Sequence, residues 1–406
     1  MRTGYFAPQI ARAARARGAQ LQTLAKTRFS SSYRDIDQPL RVLFCGSDEF
    51  SITSLEALHQ YAKSADSNVA SIDVATKTDK RTGRGLKVIK PPPIKPVAEK
   101  LGLPVHQFDT FRGWSMPDSA TSGETYINMI IAVSFGLLVP PRILRACQYG
   151  GLNVHPSMLP DLKGSSPIEH SIINGYRTTG VTVQTLHPSK FDEGKIVLQT
   201  PSPGIQIPDP DNITSQELRD FLAPVSAEML VRSLRERLYL SPQATPSSMS
   251  TVELNHAPKL LPEARHISFQ IMTSTHILRL NRALGRLWMR PGNPGNGQDD
   301  IRLILGADMR LADEKDLRYI PQGGTFGEVE IGFPFSVTNM KSGMDSAAST
   351  LLVRCADGKF ICIPTMRLSG SGQGNSAAMA AKANLLEAAQ PVGGDLAVRR
   401  FRHCPG

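Results

Sequence analysis

A chain of 406 residues with 40% hydrophobic content is long enough for two cores of ordinary size, and its formal net charge of +10 suggests nucleic acid as a partner. That charge is local, because Arg2, Arg12, Arg15, Arg17, Lys26, Arg28 and Arg34 give +7 from an acid-free stretch and leave 10 − 7 = +3 for the remainder. A membrane-spanning helix is excluded, since Asn128, Ser134, Gly136 and prolines interrupt the most apolar run, "YINMIIAVSFGLLVPP", short of the roughly 18 apolar residues a span needs.

In chain order, residues 1–38 come first. They are Arg-rich, Ser-rich around "RFSSS" and acid-free as far as Arg34, with Ile10, Ala14, Leu21 and Leu24 on one helical face away from Arg12 and Arg15. That is the composition of a mitochondrial transit peptide and predicts a matrix protein; secretion would need a longer apolar core. A folded body is expected over 39–240. "RVLFCGSDEF" followed by "SITSLEALHQYAK" reads as strand, loop and helix, "VASIDVAT" and "INMIIAVSF" as further strands, and "PPRILRAC" as a helix opening at proline. Such alternation predicts an α/β, mostly parallel, doubly wound sheet. "CGSDEF" has one glycine and no GxGxxG, so dinucleotide binding is not indicated.

Further on, "SPIEHSIINGY" predicts a short helix, "TGVTVQTLH" and "KIVLQTPSP" strands, and Ser215 to Leu238 a helix kinked or broken at Pro224. "SPQATPSSMST" is uncharged and rich in Pro, Ser and Thr, which predicts a linker over 241–262. A second domain is expected over 263–395: a basic helix from 276 to 288, several short strands forming a small barrel or sandwich, and an Ala-rich helix at "SAAMAAKANLLEAA". A basic tail, 396–406, follows. Cys45, Cys147, Cys355, Cys362 and Cys404 form no CxxC or metal spacing, so a reduced compartment and no metal are expected. A two-residue Asp357-Gly358 turn would pair Cys355 with Phe360 and Val353 with Cys362, implying no disulfide.

Three constellations carry chemistry. Asn153 and His155 are two apart in "GLNVHPSMLPDLKGSSPI", so on a strand both face one site. Pro156 and Pro160 stiffen the chain after them, while Ser157, Gly164, Ser165 and Ser166 leave backbone groups accessible. Asp192, in "KFDEGKI", sits in a turn between two strands from which an acid could reach the same place. Second, Lys77 to Lys95 holds seven basic residues, including Arg84 and Lys87, against Asp79 alone, and Gly83 and Gly85 suggest a mobile cationic loop. Third, continuing the helical period over 276–290 places Arg279, Arg282, Arg286 and Arg290 on one side and Ile277, Leu280, Leu284, Leu287 and Trp288 on the other, a stripe suited to RNA phosphates.

"GLNVHPSMLPDLKGSSPI", "AVSFGLLVP", "KRTGRGLKVIKPPPIK" and "KFDEGKIV" together resemble the methionyl-tRNA formyltransferases, within the wider folate-dependent formyltransferase family, over about residues 41–240. "HAPKL" and "ARHISFQ" are similar to the start of that family's tRNA-binding domain. The resemblance implies a Rossmann-like formyltransferase domain and a small OB-like β-barrel. It implies catalytic Asn153, His155 and Asp192, a folate-binding segment of Ser157, Met158, Leu159 and Pro160, and 10-formyltetrahydrofolate as donor without a metal. The cationic loop, with Arg84 matching the family's arginine, would enter the acceptor end of charged initiator methionyl-tRNA, and the enzyme would act as a monomer. A formyltransferase acting on a small amine, or a non-catalytic RNA-binding relative, is the alternative. Departures are Asp48, where the family usually has proline, and "LSGSGQGNS", which lacks the usual lysines.

Overall fold

The computed structural model describes residues 38–116, 126–243, 254–290, 302–317, 334–339, 350–368, 372, 374–382, 390–393 and 396–400. The expected transit segment, apart from Gln38, lies outside these residues, as do Cys404 and residues 244–253 of the expected linker.

The chain opens with β1 (Leu40–Gly46), α1 (Glu49–Ala62) and β2 (Val69–Thr76). A small hairpin of β3 (Lys80–Thr82) and β4 (Val88–Lys90) precedes α2 (Ile94–Lys100) and β5 (Val105–Gln107). Next come β6 (Met129–Val133), α3 (Pro141–Ala146), β7 (Gly151–His155), α4 (Pro167–Ile173), β8 (Thr178–Thr179), β9 (Thr182–Thr185), β10 (Ile196–Gln199) and β11 (Ile205–Gln206). The long helix α5 (Ser215–Arg235) closes this half.

Seven strands form one sheet in the order β10-β9-β7-β6-β1-β2-β5. β1–β6, β6–β7 and β2–β5 are parallel, while β9 runs antiparallel to β7 and β10. The parallel strands read as continuous apolar runs because both faces are covered: Met129 to Val133 are all buried, as are Leu43 to Cys45. α1 begins in a capping box, Asp48 accepting from the Ser51 N–H at 3.1 Å while Ser51 Oγ accepts from the Asp48 N–H at 3.1 Å. It buries Leu55, Leu58 and Tyr61 and packs on α5, which runs through Pro224 without interruption, its own capping box set by Thr214 and Glu217. Ligand sites in such sheets lie beyond the carboxyl ends of the strands, here the ends of β1, β6 and β7.

The remaining elements are α6 (Ser274–Leu284), β12 (Trp288–Met289), β13 (Leu303–Leu305), β14 (Arg310–Leu311), α7 (Glu314–Leu317), β15 (Phe335–Asn339), β16 (Leu351–Arg354), β17 (Phe360–Ile363), β18 (Thr365–Leu368), β19 (Gly374–Asn375), α8 (Ser376–Lys382), β20 (Gln390–Gly393) and β21 (Leu396–Arg400). They make two small antiparallel sheets, β12-β13-β18-β19 and β14-β17-β16-β15-β21-β20. A second core of Phe269, Ile277, Leu280, Leu303, Val353 and Ile361 holds them to α6. The fold is thus a Rossmann-like mostly parallel sheet followed by a small β domain. Among the described residues no helix is long and apolar enough to cross a membrane.

Four details differ from the sequence reading. α6 stops at Leu284 because Gly285, at φ 76°, turns the chain, so Trp288 is on a strand and Arg286 leaves the helix. The Cys355 turn is longer than two residues: Gly358, at φ 78°, adds a bulge, and Arg354 pairs with Phe360 and Leu352 with Cys362. The expected tail begins as β21, paired along β15. The end of the expected linker is docked, with the Asn255 N–H donating to Asp161 Oδ1 at 2.8 Å and the Ala257 N–H to the Lys163 carbonyl at 2.7 Å.

Candidate active site

Register places the chemistry. Asn153 on β7 stands opposite Ala132 on β6 and Gln184 on β9, so three side chains form one row across the sheet. His155 lies two residues on, at the carboxyl end of β7, and is 5% exposed. Asp192 arrives from the loop between β9 and β10 in a left-handed conformation, φ 53°. Ser134 and Leu162 share that conformation at φ 49° and 56°. Non-glycine residues held there cost on the order of 1–3 kcal/mol each and concentrate where geometry serves a ligand.

The bonds among these groups are directional. The Gly194 N–H donates to Gln184 Oε1 at 3.1 Å, which turns Gln184 Nε2 toward Asn153 Oδ1 at 3.2 Å and Asp192 Oδ1 at 3.0 Å. Asn153 Nδ2 donates to the Ala132 carbonyl at 3.1 Å. Asp192 Oδ2 accepts the Gly164 N–H at 2.9 Å, and Oδ1 lies 3.4 Å from His155 Nδ1. His155 Nε2 donates to the Leu162 carbonyl at 3.0 Å, so both ring nitrogens face acceptors. Two glycines make the approach possible: a Cβ at Gly194 would run into the Thr185 carbonyl, and one at Gly164, φ 129°, into the Ala257 carbonyl.

Asn153, His155, Gln184 and Asp192 line a cavity of about 590 Å³. Its further walls are Ser134 to Val139 after β6, Gly164 to Glu169 at the start of α4, Asp48, Arg219 and Lys259. An aromatic cluster of Phe108, Phe111, Trp114 and Phe135 backs the Ser134–Val139 loop, with ring centroids 4.6–6.1 Å apart. Burial pushes the Asp48 carboxyl up from its ordinary value, against the Ser51 N–H and the nearby Arg219 charge. Arg219 Nη2 pairs with Glu169 Oε1 at 2.8 Å.

The trio Asn153, His155 and Asp192 is brought together. Ser157, Met158, Leu159 and Pro160 are not among the cavity's walls. Ser157 and Leu159 are buried, the Leu159 N–H donates to Thr182 Oγ1 at 3.2 Å, and its carbonyl accepts from Gln199 Nε2 at 2.8 Å. That segment is tied to β9 and β10 through the Leu159 backbone. Gln184 was missed because a glutamine alternating with valines reads as an outward-facing strand position; it is 2% exposed.

The cationic segment is the β3–β4 hairpin. Its base is held by Asp79, which accepts from Lys95 Nζ at 2.9 Å and Gln107 Nε2 at 2.6 Å, and by the Thr78–Asp109 bond. Leu86, at 59%, and Lys87 are exposed at its tip, and Val88 at 58% and Ile89 at 59% are exposed on β4. Arg84 is at that tip; its side chain lies outside the described residues.

A mitochondrial methionyl-tRNA formyltransferase of Saccharomyces cerevisiae is 37% identical over 280 residues, which cover 62% of this chain and 69% of that protein. The chain belongs to the methionyl-tRNA formyltransferase family. A formyl transferase family model matches residues 40–233, the sheet that carries Asn153, His155 and Asp192. The mouse mitochondrial methionyl-tRNA formyltransferase is 30% identical over 327 residues, covering 79% of this chain and 73% of its own. Among solved structures, the sugar 3N-formyltransferase WlaRD aligns over 80% of this chain and 97% of its own at 14% identity, with a TM-score of 0.48. The chain is therefore a formyl-transferring enzyme, and its relatives support a mitochondrial location.

In this formyltransferase the arginines of α6 are not a free stripe. Arg279 lies against the turn after α4, where a Cβ at Gly175 would strike its guanidinium. Arg282 is half-buried, with Asp209 and Asp211 close enough to act on it; Asp211 also pairs with Arg177 at 2.7 Å. Arg286 is exposed beyond the helix end.

Proposed function

We propose that this site moves the formyl group of 10-formyltetrahydrofolate to the α-amino group of charged initiator methionyl-tRNA in the mitochondrial matrix. The amine nitrogen attacks the formyl carbon, the C–N10 bond of the folate breaks, and the proton lost by the amine ends on N10, giving formyl-methionyl-tRNA and tetrahydrofolate. An α-amino group titrates near roughly 8, so its neutral form is accessible without a protein nucleophile.

The observation that carries this reading is the orientation of Asn153. Its Oδ1 accepts from Gln184 and one Nδ2 hydrogen goes to Ala132, leaving the other for a ligand in the cavity it lines. A donor fixed there stabilises the oxyanion of the tetrahedral intermediate. A protonated His155 would add positive charge beside that oxygen, and Asp192 would hold the ring and relay the amine's proton through water. The apolar Leu137, Leu138 and Val139 beside polar Ser134 and Asn153 support placing the flat folate ring in this loop. The exposed cationic hairpin, with Arg84 and Lys87, suits an unpaired acceptor end, where phosphates meet charge and splayed bases meet apolar or planar side chains. Arg286, with Arg279 and Arg282 in lesser part, would extend phosphate contact.

The test supplies the full chain with 10-formyltetrahydrofolate and compares charged initiator methionyl-tRNA with a panel of small amines that includes an amino sugar. Formylation of the charged tRNA alone is expected. Faster formylation of a small amine would overturn the acceptor assignment, and RNA binding without transfer to any acceptor would overturn the enzymatic one.

A further inference from the structure

We infer that Gln184 is a positioning residue for formyl transfer, one amide that sets Asn153 as a donor and Asp192 as an acceptor. The inference rests on the catalytic reading of Asn153 and Asp192 given above and adds to it a residue that touches both.

The argument is one of hydrogen-bond accounting. A backbone N–H can only donate, so the bond from Gly194 fixes which end of the Gln184 amide is oxygen. Nε2 then has two hydrogens and two acceptors, Asn153 Oδ1 at 3.2 Å and Asp192 Oδ1 at 3.0 Å, and is saturated. Both consequences favour the chemistry. Engaging Oδ1 of Asn153, together with the Ala132 carbonyl on Nδ2, prevents the amide from presenting its oxygen to the developing oxyanion. Donating to Oδ1 of Asp192 holds that carboxylate oxygen toward His155 Nδ1. Gln184 is 2% exposed and lies opposite Asn153 in the β7–β9 register, so this geometry is built into the sheet and does not depend on a mobile loop. Buried networks of this kind reward full satisfaction and penalise a missing member.

Two near-isosteric variants separate positioning from packing. Gln184→Met keeps the volume and removes all three bonds. It should lower kcat on the order of 10- to 100-fold while changing half-saturation by folate and tRNA by less than about threefold. Gln184→Glu keeps an acceptor for Gly194 but turns an oxygen toward Asn153 Oδ1 and Asp192 Oδ1. It should be slower than Gln184→Met at pH 8 and recover as the pH falls and the introduced carboxyl takes a proton, a pH dependence that Gln184→Met should lack. His187, Lys190, Arg219, Lys259, Asp48 and Glu169 also surround the cavity and are the same in both variants, so the difference between them reports the new carboxyl. In an Asn153→Ala, Asp192→Ala background, Gln184→Met should cost less than about threefold more, because the groups it positions are gone. Wild-type kcat and pH profile in both single variants, or an undiminished cost of Gln184→Met in that background, would overturn the inference. Wild-type turnover in Asn153→Ala and Asp192→Asn would instead overturn the catalytic reading beneath it.

Discussion

The row Ala132–Asn153–Gln184 and the β3–β4 hairpin are both assigned to one reaction and differ in nearly every physical respect. In the row, Gln184 is nearly solvent-free and Asn153 partly buried, every bond has one permitted direction, and the backbone belongs to three paired strands of the central sheet, β6, β7 and β9. In the hairpin, cations and apolar side chains stand in solvent above a base pinned by Asp79 and Asp109. The difference follows from the two tasks. Stabilising charge that appears only in a transition state requires dipoles fixed beforehand in low dielectric, whereas gripping a polyanion requires access and an adaptable tip. Mutations in the two places should therefore fail differently.

The largest effects are expected at the buried site to which the row belongs. His155→Ala and Asp192→Asn should each slow turnover by about 100-fold or more, on the order of 3 kcal/mol, with charged-tRNA affinity near wild type in a binding titration. Unchanged turnover would remove the residue from the chemistry. In the hairpin the loss should move to the substrate side. Arg84→Ala should reduce kcat/KM for charged initiator tRNA roughly 10-fold or more at unchanged folate affinity, and Arg84→Lys should recover only part, since charge returns without the planar fork. Steady-state kinetics with parallel folate titrations would show otherwise if both variants formylate normally. Lys87→Ala should cost about threefold, and more salt should shrink its gap from wild type, because a phosphate contact is screened.

The smallest effect is expected where a site wall is also a helix cap. Burial raises the Asp48 carboxyl, so the folded chain binds that proton more tightly than the unfolded one and gains stability as the pH falls. Asparagine caps about as well as aspartate. Asp48→Asn should thus melt at or slightly above the wild-type temperature at pH 7, the difference vanishing at acid pH where both side chains are neutral. A lower melting temperature at pH 7 would show that the charge itself stabilises the fold.

How much of this was legible in the sequence depended on range. Asn153 and His155 were readable because a strand repeats every two residues, and Asp192 because a turn acid followed by glycine stood between two strands. Gln184 was not, since its burial depends on β9 lying beside β7, a pairing that no local pattern announces. The docking of Asn255 and Ala257 on the Asp161–Ser166 loop is equally long-range, and composition marked only the Pro- and Ser-rich start of that connection. α6 is a different case. Gly285 is a local stop signal, but the arginine spacing continued past it, and a period alone cannot say where a helix ends. Ser157–Pro160 entered through resemblance, and the Leu159 backbone is bonded to Thr182 on β9 and Gln199 on β10.

The central claim is that a fixed amide donor at Asn153 stabilises the tetrahedral intermediate of formyl transfer, and single-turnover formylation of charged initiator methionyl-tRNA at saturating 10-formyltetrahydrofolate tests it most directly. The account predicts that Asn153→Ala binds both substrates at wild-type concentrations yet transfers the formyl group about 100-fold more slowly or worse. Transfer at the wild-type rate in that variant would contradict it.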